Sequence, residues 1–221
     1  MRGNGVGPAD DGPDASPVSV RLGTLPDATS AATLHARLIS EGFLSSLGAR
    51  FLTLLYGRIA RAEGSFLVMA EAEGSPIGFI AGSVDVGGLY RSFLLRDSVV
   101  AALSAPLRLL TAVPSVLETL RHGRDADQPA GGELLAVAVD PRWRGRHVGQ
   151  LLVEEFIVQL ERRGHNSAHV VVGSDNAPAI AMYGHAGFRP ARTLEMHRGT
   201  PSLLMERGVP STAPPDTGPR P

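Results

Sequence analysis

Residues Leu134–Leu152, LLAVAVDPRWRGRHVGQLL, decide the fold. A run of apolar and β-branched residues stops at Asp140-Pro141, passes through a turn rich in Gly and Arg, and opens at once into a segment with helical spacing. Backbone N–H groups in a tight turn and in the first turn of a helix lack internal partners and carry partial positive charge, so this arrangement cradles an anion such as a phosphate. Two other phosphate loops are excluded. A P-loop needs a lysine before its Ser/Thr and the chain has none, and no G-x-G-x-x-G follows a strand here.

Working outward, Arg144-Gly145-Arg146-His147-Val148-Gly149 is similar to the pyrophosphate-binding pattern [R/Q]-x-x-G-x-[G/A] of the GNAT superfamily of acyl-CoA-dependent N-acyltransferases. Arg144 and Gly149 match, while His147 stands where the family usually has its first glycine. Histidine tolerates a positive φ better than most residues, so the backbone can still turn there. A second segment, Asn176 to Phe188 (NAPAIAMYGHAGF), resembles the family's N-x-x-A-x-x-[F/Y]-Y-x-x-x-G-F motif. Asn176 suits a helix start as a cap or as a contact to the cofactor. Seven residues on, at roughly 100° each, Tyr183 returns to the same helix face. Gly187 suits a helix C-terminus that needs positive φ.

The order of elements agrees. Alternation predicts a strand over 18–22, and helical spacing predicts helices over 28–39 and 46–62. Strands at 65–71 and 76–84 flank Ala-Glu-Gly-Ser, a hairpin turn. Then come strand 133–139, helix 147–163, strand 167–173, helix 176–186, and strands at 189–198 and 201–207. The resemblance therefore implies an α+β fold of layered α/β/α type, a mixed and mostly antiparallel sheet flanked by helices, over residues 18–207. Residues 1–17 and 208–221, rich in Gly, Pro, Asp, Ser and Thr, are expected to be disordered tails.

Residues 89–124 depart from the family order as an insertion between the third and fourth strands, with amphipathic helical sequence on each side of Pro106 and Pro114. Arg96, Asp97, Arg108 and the prolines leave no apolar run of the roughly 20 residues needed to cross a bilayer. The insertion reads as a lid over the acceptor site, as a homodimer contact, or as an interfacial helix on lipid. The first two predict Phe93, Leu94 and Leu110 packed against protein.

Composition narrows the classes. The formal net charge is −1 and cysteine is absent, which removes disulfides, thiolate metal sites and an acyl-cysteine intermediate. All 21 basic residues are arginine, and without a basic excess a nucleic-acid partner is not expected. His165, His169, His185 and His197 lack the spacing of a metal site, so no metal is expected. The first residues lack the apolar core of a signal peptide, and a cytoplasmic protein is expected.

The resemblance also implies a division of labour, with acetyl-CoA as co-substrate and a small-molecule or peptide amine as acceptor. Amides of Arg144, Gly145, Arg146, His147, Val148, Gly149 and Gln150 would hold the pyrophosphate, with Arg144 and Arg146 as ionic helpers. Val137, Ala138 and Val139 would pair with the pantetheine and polarise the acyl oxygen, and Asn176 and Tyr183 would close the cofactor site. Tyr183 is the candidate general acid, one of three tyrosines and the one inside the motif. Glu133 is the candidate base, six residues before Val139. Strict alternation would put it on the face of Leu135, Val137 and Val139 unless a bulge intervenes. Glu71, Asp85, His35 and ordered water are its rivals. The competing function is an acyl-CoA-binding sensor without turnover, a reading that rests on His147.

Overall fold

The computed structural model describes residues 17–39, 44, 47–96, 131–195 and 201–208. Strand β1 (Ser19–Leu22) leads through a 3-10 turn at Leu25–Asp27 into helices α1 (Ala28–Leu38) and α2 (Ala49–Ile59). The hairpin strands β2 (Ser65–Ala72) and β3 (Ser75–Ser83) precede helix α3 (Val86–Arg96). Strand β4 (Gly132–Val139), a 3-10 turn at Pro141–Trp143, helix α4 (Val148–Arg162), strand β5 (Ala168–Gly173) and helix α5 (Ala177–His185) follow, and β6 (Arg189–Glu195) and β7 (Pro201–Arg207) end the described chain.

The strands form one sheet of seven in the order β1-β2-β3-β4-β5-β7-β6, antiparallel except between β4 and β5. This is the mixed, mostly antiparallel sheet expected. The β2–β3 turn has positive φ at both Glu73 (52°) and Gly74 (71°), the geometry of a two-residue type I′ hairpin. The second helix is shorter than its apolar spacing suggested, Ala49–Ile59 rather than 46–62, and β6 ends its described run at Glu195.

Helices cover both faces, which explains why β2 and β3 read as nearly continuous apolar runs. On one face, α1, α2 and α3 bury Leu34, Leu52, Tyr56 and Leu89 against Leu67, Met69, Phe79 and Ala81 of the sheet. On the other, α4 buries Val148, Leu152, Val153, Phe156, Ile157 and Leu160, spaced as one helical stripe, against Phe66, Val68 and Ile80. Phe93 of α3 is buried and meets Phe51 edge-on at 5.2 Å between centroids, so the start of the insertion packs on α2 of its own chain. The rest of the insertion, Leu94's side chain and Leu110 included, lies outside the described residues, as do 1–16 and 209–221. Among the described residues no helix is long and apolar enough to cross a membrane.

One register change matters for the site. Ala81 pairs with Ala136, but its neighbour Gly82 pairs with Leu134, leaving Leu135 as an extra residue in β4. That β-bulge turns Leu135 and Ala136 toward the α1 and α2 face, whereas Leu134, Val137 and Val139 pack on the α4 face. Alternation from Leu134 then places Glu133 opposite Val137 and Val139, correcting the expectation from an unbroken strand.

The α4 face tolerates no side chain at Gly82, where a Cβ would sit 2.5 Å from Phe156 and 2.8 Å from Phe66, two rings 5.5 Å apart. Gly82→Ala is expected to cost about 2 kcal/mol by overpacking, read as a lower midpoint in urea unfolding; an unchanged midpoint would contradict this packing.

Candidate active site

β4 and β5 pair only through Gly132↔Ala168 and Glu133↔His169. Each is secured on its other edge, β4 by β3 from Gly78 to Ser83 and β5 by β7 along its whole length. Past Glu133 the two strands part, and a cleft of about 1200 Å³ opens between residues 134–139 and 170–173. The facing edges of both strands carry backbone N–H and C=O groups with no ladder partner, so the cleft is lined with hydrogen-bonding positions for an extended ligand.

At the far end of β4 the chain is held by Asp140, whose side chain is 6% exposed. Its carboxylate accepts from the Arg142 amide at 3.0 Å, from the Arg142 guanidinium at 3.0 and 3.2 Å, and from Arg37 of α1 at 2.6 Å. The Arg142 side chain and amide, with Arg37 beyond, hold its carboxyl well below the usual carboxylate range. Its own amide bonds to Ile77 O of β3, and Trp143 N returns to Asp140 O. The turn that follows is thus anchored at its base.

Beyond this anchor no carbonyl among the described residues accepts from the N–H groups of residues 145–150. Gly145 has φ 75° with open space around it, and His147 has φ 59° and ψ 8°, the left-handed conformation, immediately before α4. His147 therefore does what a glycine would do. Gly149 is needed for a different reason: a Cβ there would lie 2.7 Å from Met182 Sδ, so its absence lets α4 approach α5.

Most of the residues singled out in the sequence meet at this cleft. Val137, Ala138, Val139, Arg144, Gly145, His147, Val148, Gly149, Gln150, Asn176 and Tyr183 all line it. Asn176 also caps α5, accepting from Ala179 N at 3.2 Å. Tyr183 is 3% exposed, with its ring 5.7 Å from that of Phe188, and burial pushes its phenol pKa up. Arg146 turns aside and stacks over Trp143 at 5.0 Å.

Glu133 is not on the described lining. It lies 3.6 Å from His169 Nε2, beside Tyr90, whose phenol is pushed up to about 12 by burial and secondarily by the Glu133 carboxylate. Two rivals are engaged elsewhere. Glu71 joins Asp27 in binding Arg21, and Asp85 accepts from Gly88 N at the start of α3. His35 does line the cleft, from α1. Asp140, Tyr90 and the β5 edge were not singled out in the sequence. Asp140 was legible only as a strand break, and the other two depend on strand pairing and helix placement. Among the described residues no group of three or more His, Asp or Glu is placed to hold a metal.

The sequence profile of the acetyltransferase (GNAT) family matches residues 35–188. Similar curated proteins include a mycothiol acetyltransferase of Rhodococcus opacus, 36% identical over 72 residues, or 33% of this chain and 24% of that one. A ribosomal protein bS18 alanine N-acetyltransferase of Salmonella typhimurium is 41% identical over 58 residues, or 26% of this chain and 39% of that one. The chain thus spans about a quarter of the length of the mycothiol relative it matches and about two fifths of the other. Among solved structures, the ribosomal-protein-S18-alanine N-acetyltransferase of Escherichia coli superposes with a TM-score of 0.56 at 16% identity, covering 87% of this chain and 94% of that one. At that identity the likeness is one of fold.

Because Asp140's carboxyl is depressed, it stabilises the fold above its ordinary pKa of about 4 and loses that contribution as pH falls below it. The stability gap between wild type and Asp140→Asn, followed by fluorescence of Trp143 in urea, is expected to be steady near neutral pH and to narrow below about pH 4. A gap that widens in acid would contradict the anchor.

Proposed function

The chain belongs to the acetyltransferase (GNAT) family, and from that premise we propose that it moves an acetyl or other short acyl group from acyl-coenzyme A to an amine, directly, in a ternary complex. The observation that carries this reading is the parting of β4 from β5 above a loop of unpartnered amides. An extended pantetheine arm fits the strand edge, and a diphosphate fits the N–H groups of residues 145–150 at the start of α4. Arg144, on the lining, adds a cation beside them, and Arg146 acts from its place against Trp143.

The chemistry follows from the positions. The amine nitrogen attacks the thioester carbon, the C=O electrons move onto oxygen, and an N–H near Val139 stabilises that oxyanion. Collapse expels the thiolate, and the Tyr183 phenol, kept protonated by burial, delivers its proton to sulfur. Glu133, set off the lining, takes the amine's proton through water rather than by contact. The absence of cysteine from the whole chain favours direct transfer over an acyl-cysteine route.

The sensor alternative drew its support from His147. With His147 in the left-handed conformation, the loop keeps its turn without a glycine, and that support falls away.

Thiol release from acetyl-CoA that depends on added amine tests the reading; coenzyme A binding with no release across a broad amine panel would replace it with the sensor. Tyr183→Phe is expected to lower kcat by about 100-fold while coenzyme A affinity by calorimetry stays within about twofold. Equal losses in both would remove the acid role. Glu133→Gln is expected to flatten the acidic limb of kcat/KM for the amine, and an unchanged limb would dismiss it as base.

A further inference from the structure

The face of the cleft opposite α4 contains an atom the mechanism above does not use. His35 of α1 is 3% exposed and lines the cleft, its ring stacked on Phe79 at 6.4 Å and 23°. Nδ1 lies 2.6 Å from the Tyr56 hydroxyl, while Nε2 is fully enclosed and has no hydrogen-bond partner. A buried polar atom left unpaired is costly, and in a ligand-binding cleft it marks a group that a ligand completes.

Counting hydrogens assigns the tautomer. Burial keeps the imidazole neutral and the Tyr56 phenol protonated, so between them they hold one ring N–H and one O–H. If the ring donated to the phenol oxygen, the phenol proton would have no acceptor within hydrogen-bond distance among the described residues. The phenol therefore donates to Nδ1, and the hydrogen sits on Nε2. Nε2–H needs an acceptor, and that acceptor is not the reacting amine, whose lone pair must stay free to attack the thioester.

We propose that His35, oriented by Tyr56, positions the acceptor substrate by donating its Nε2–H to a neutral carbonyl oxygen next to the amine, and that the acceptor class is an α-amino amide, such as a peptide N-terminus. This rests on the transferase reading and deepens it. The surroundings of His35 agree. Leu38, Ile39, Leu135 and Ala136 share the lining with the Tyr90 phenol, and among the described residues on it there is no Asp or Glu to pair with a polycationic amine. An α-amine beside an amide also has an ordinary pKa near 8 against about 10.4 for a lysine side chain, so roughly 200-fold more of it is neutral at neutral pH. That suits a site whose candidate base works through water.

The probes are L-alaninamide, sec-butylamine as a matched amine without the carbonyl, and N-α-acetyl-lysinamide, which offers only a side-chain amine. In the coenzyme A complex of protein with nitrogen-labelled histidine, NMR is expected to show His35 as the Nε2–H tautomer, with an Nε2 resonance that shifts on titration with alaninamide and not with sec-butylamine. In thiol-release assays wild type should favour alaninamide over both other amines. His35→Leu should raise KM for alaninamide about tenfold more than KM for sec-butylamine, with kcat for alaninamide within about threefold, and be largely rescued by His35→Gln, which restores a donor near Nε2. An Nδ1–H tautomer, an Nε2 resonance indifferent to alaninamide, or equal losses on both amines would overturn the proposal. An alaninamide-dependent shift without thiol release would sustain the binding role and sink the transferase reading; thiol release with an indifferent His35 would do the reverse.

Discussion

The separation of β4 from β5 is the constraint on which the rest of the molecule depends. After two paired positions the strands diverge, yet each stays locked into the sheet on its outer edge, β4 by β3 and β5 by β7. A gap in the middle of a sheet leaves main-chain donors and acceptors without ladder partners, each costing about 1–3 kcal/mol if it stays unmet in a dry interior. The helices on both faces hold this geometry in place, so the unmet capacity is kept for a ligand with an extended polar backbone of its own.

The loop at the end of β4 uses the same principle over a shorter distance. Asp140 takes up two guanidiniums and one amide, and thereby fixes where the next free amides begin. His147 then spends left-handed backbone strain to swing the chain into α4, and Gly149 lets that helix close on α5. Arg37 matters because it belongs to α1, the helix that also carries His35. One buried carboxylate ties the loop before α4 to the opposite wall of the cleft, so the two halves of the cleft are set by a shared contact.

The bulge at Leu135 divides the chemistry between those halves. It turns Val137 and Val139 toward α4 and Glu133 the other way, beside His169 and Tyr90. The unpartnered loop amides and Tyr183 then belong to the α4 and α5 side, and the unpaired imidazole nitrogen of His35 to the α1 side. Such a division suits a reaction in which two substrates approach one carbonyl from different directions.

Much of this was legible from local pattern. Strand and helix order, the tight turn at 144–149, the cap at Asn176, the positive φ at Gly187 and the place of Tyr183 on α5 all depend on residues within a turn or two of each other, where spacing alone dictates geometry. Other features join distant parts of the chain: Arg37 to Asp140 across 103 positions, His35 to Tyr56 across 21, Glu133 to His169 across a parallel pair, and a bulge defined only by its register against β3. Periodicity carries no record of which distant residue stands opposite, and a single extra residue in a strand reverses every side chain beyond it. Sequence by itself therefore determined the kind of fold and the place where a turn of unpartnered amides opens into a helix. Tertiary structure decided which side chains face the cleft and which nitrogen is left without a partner, because those outcomes depend on how the sheet is assembled.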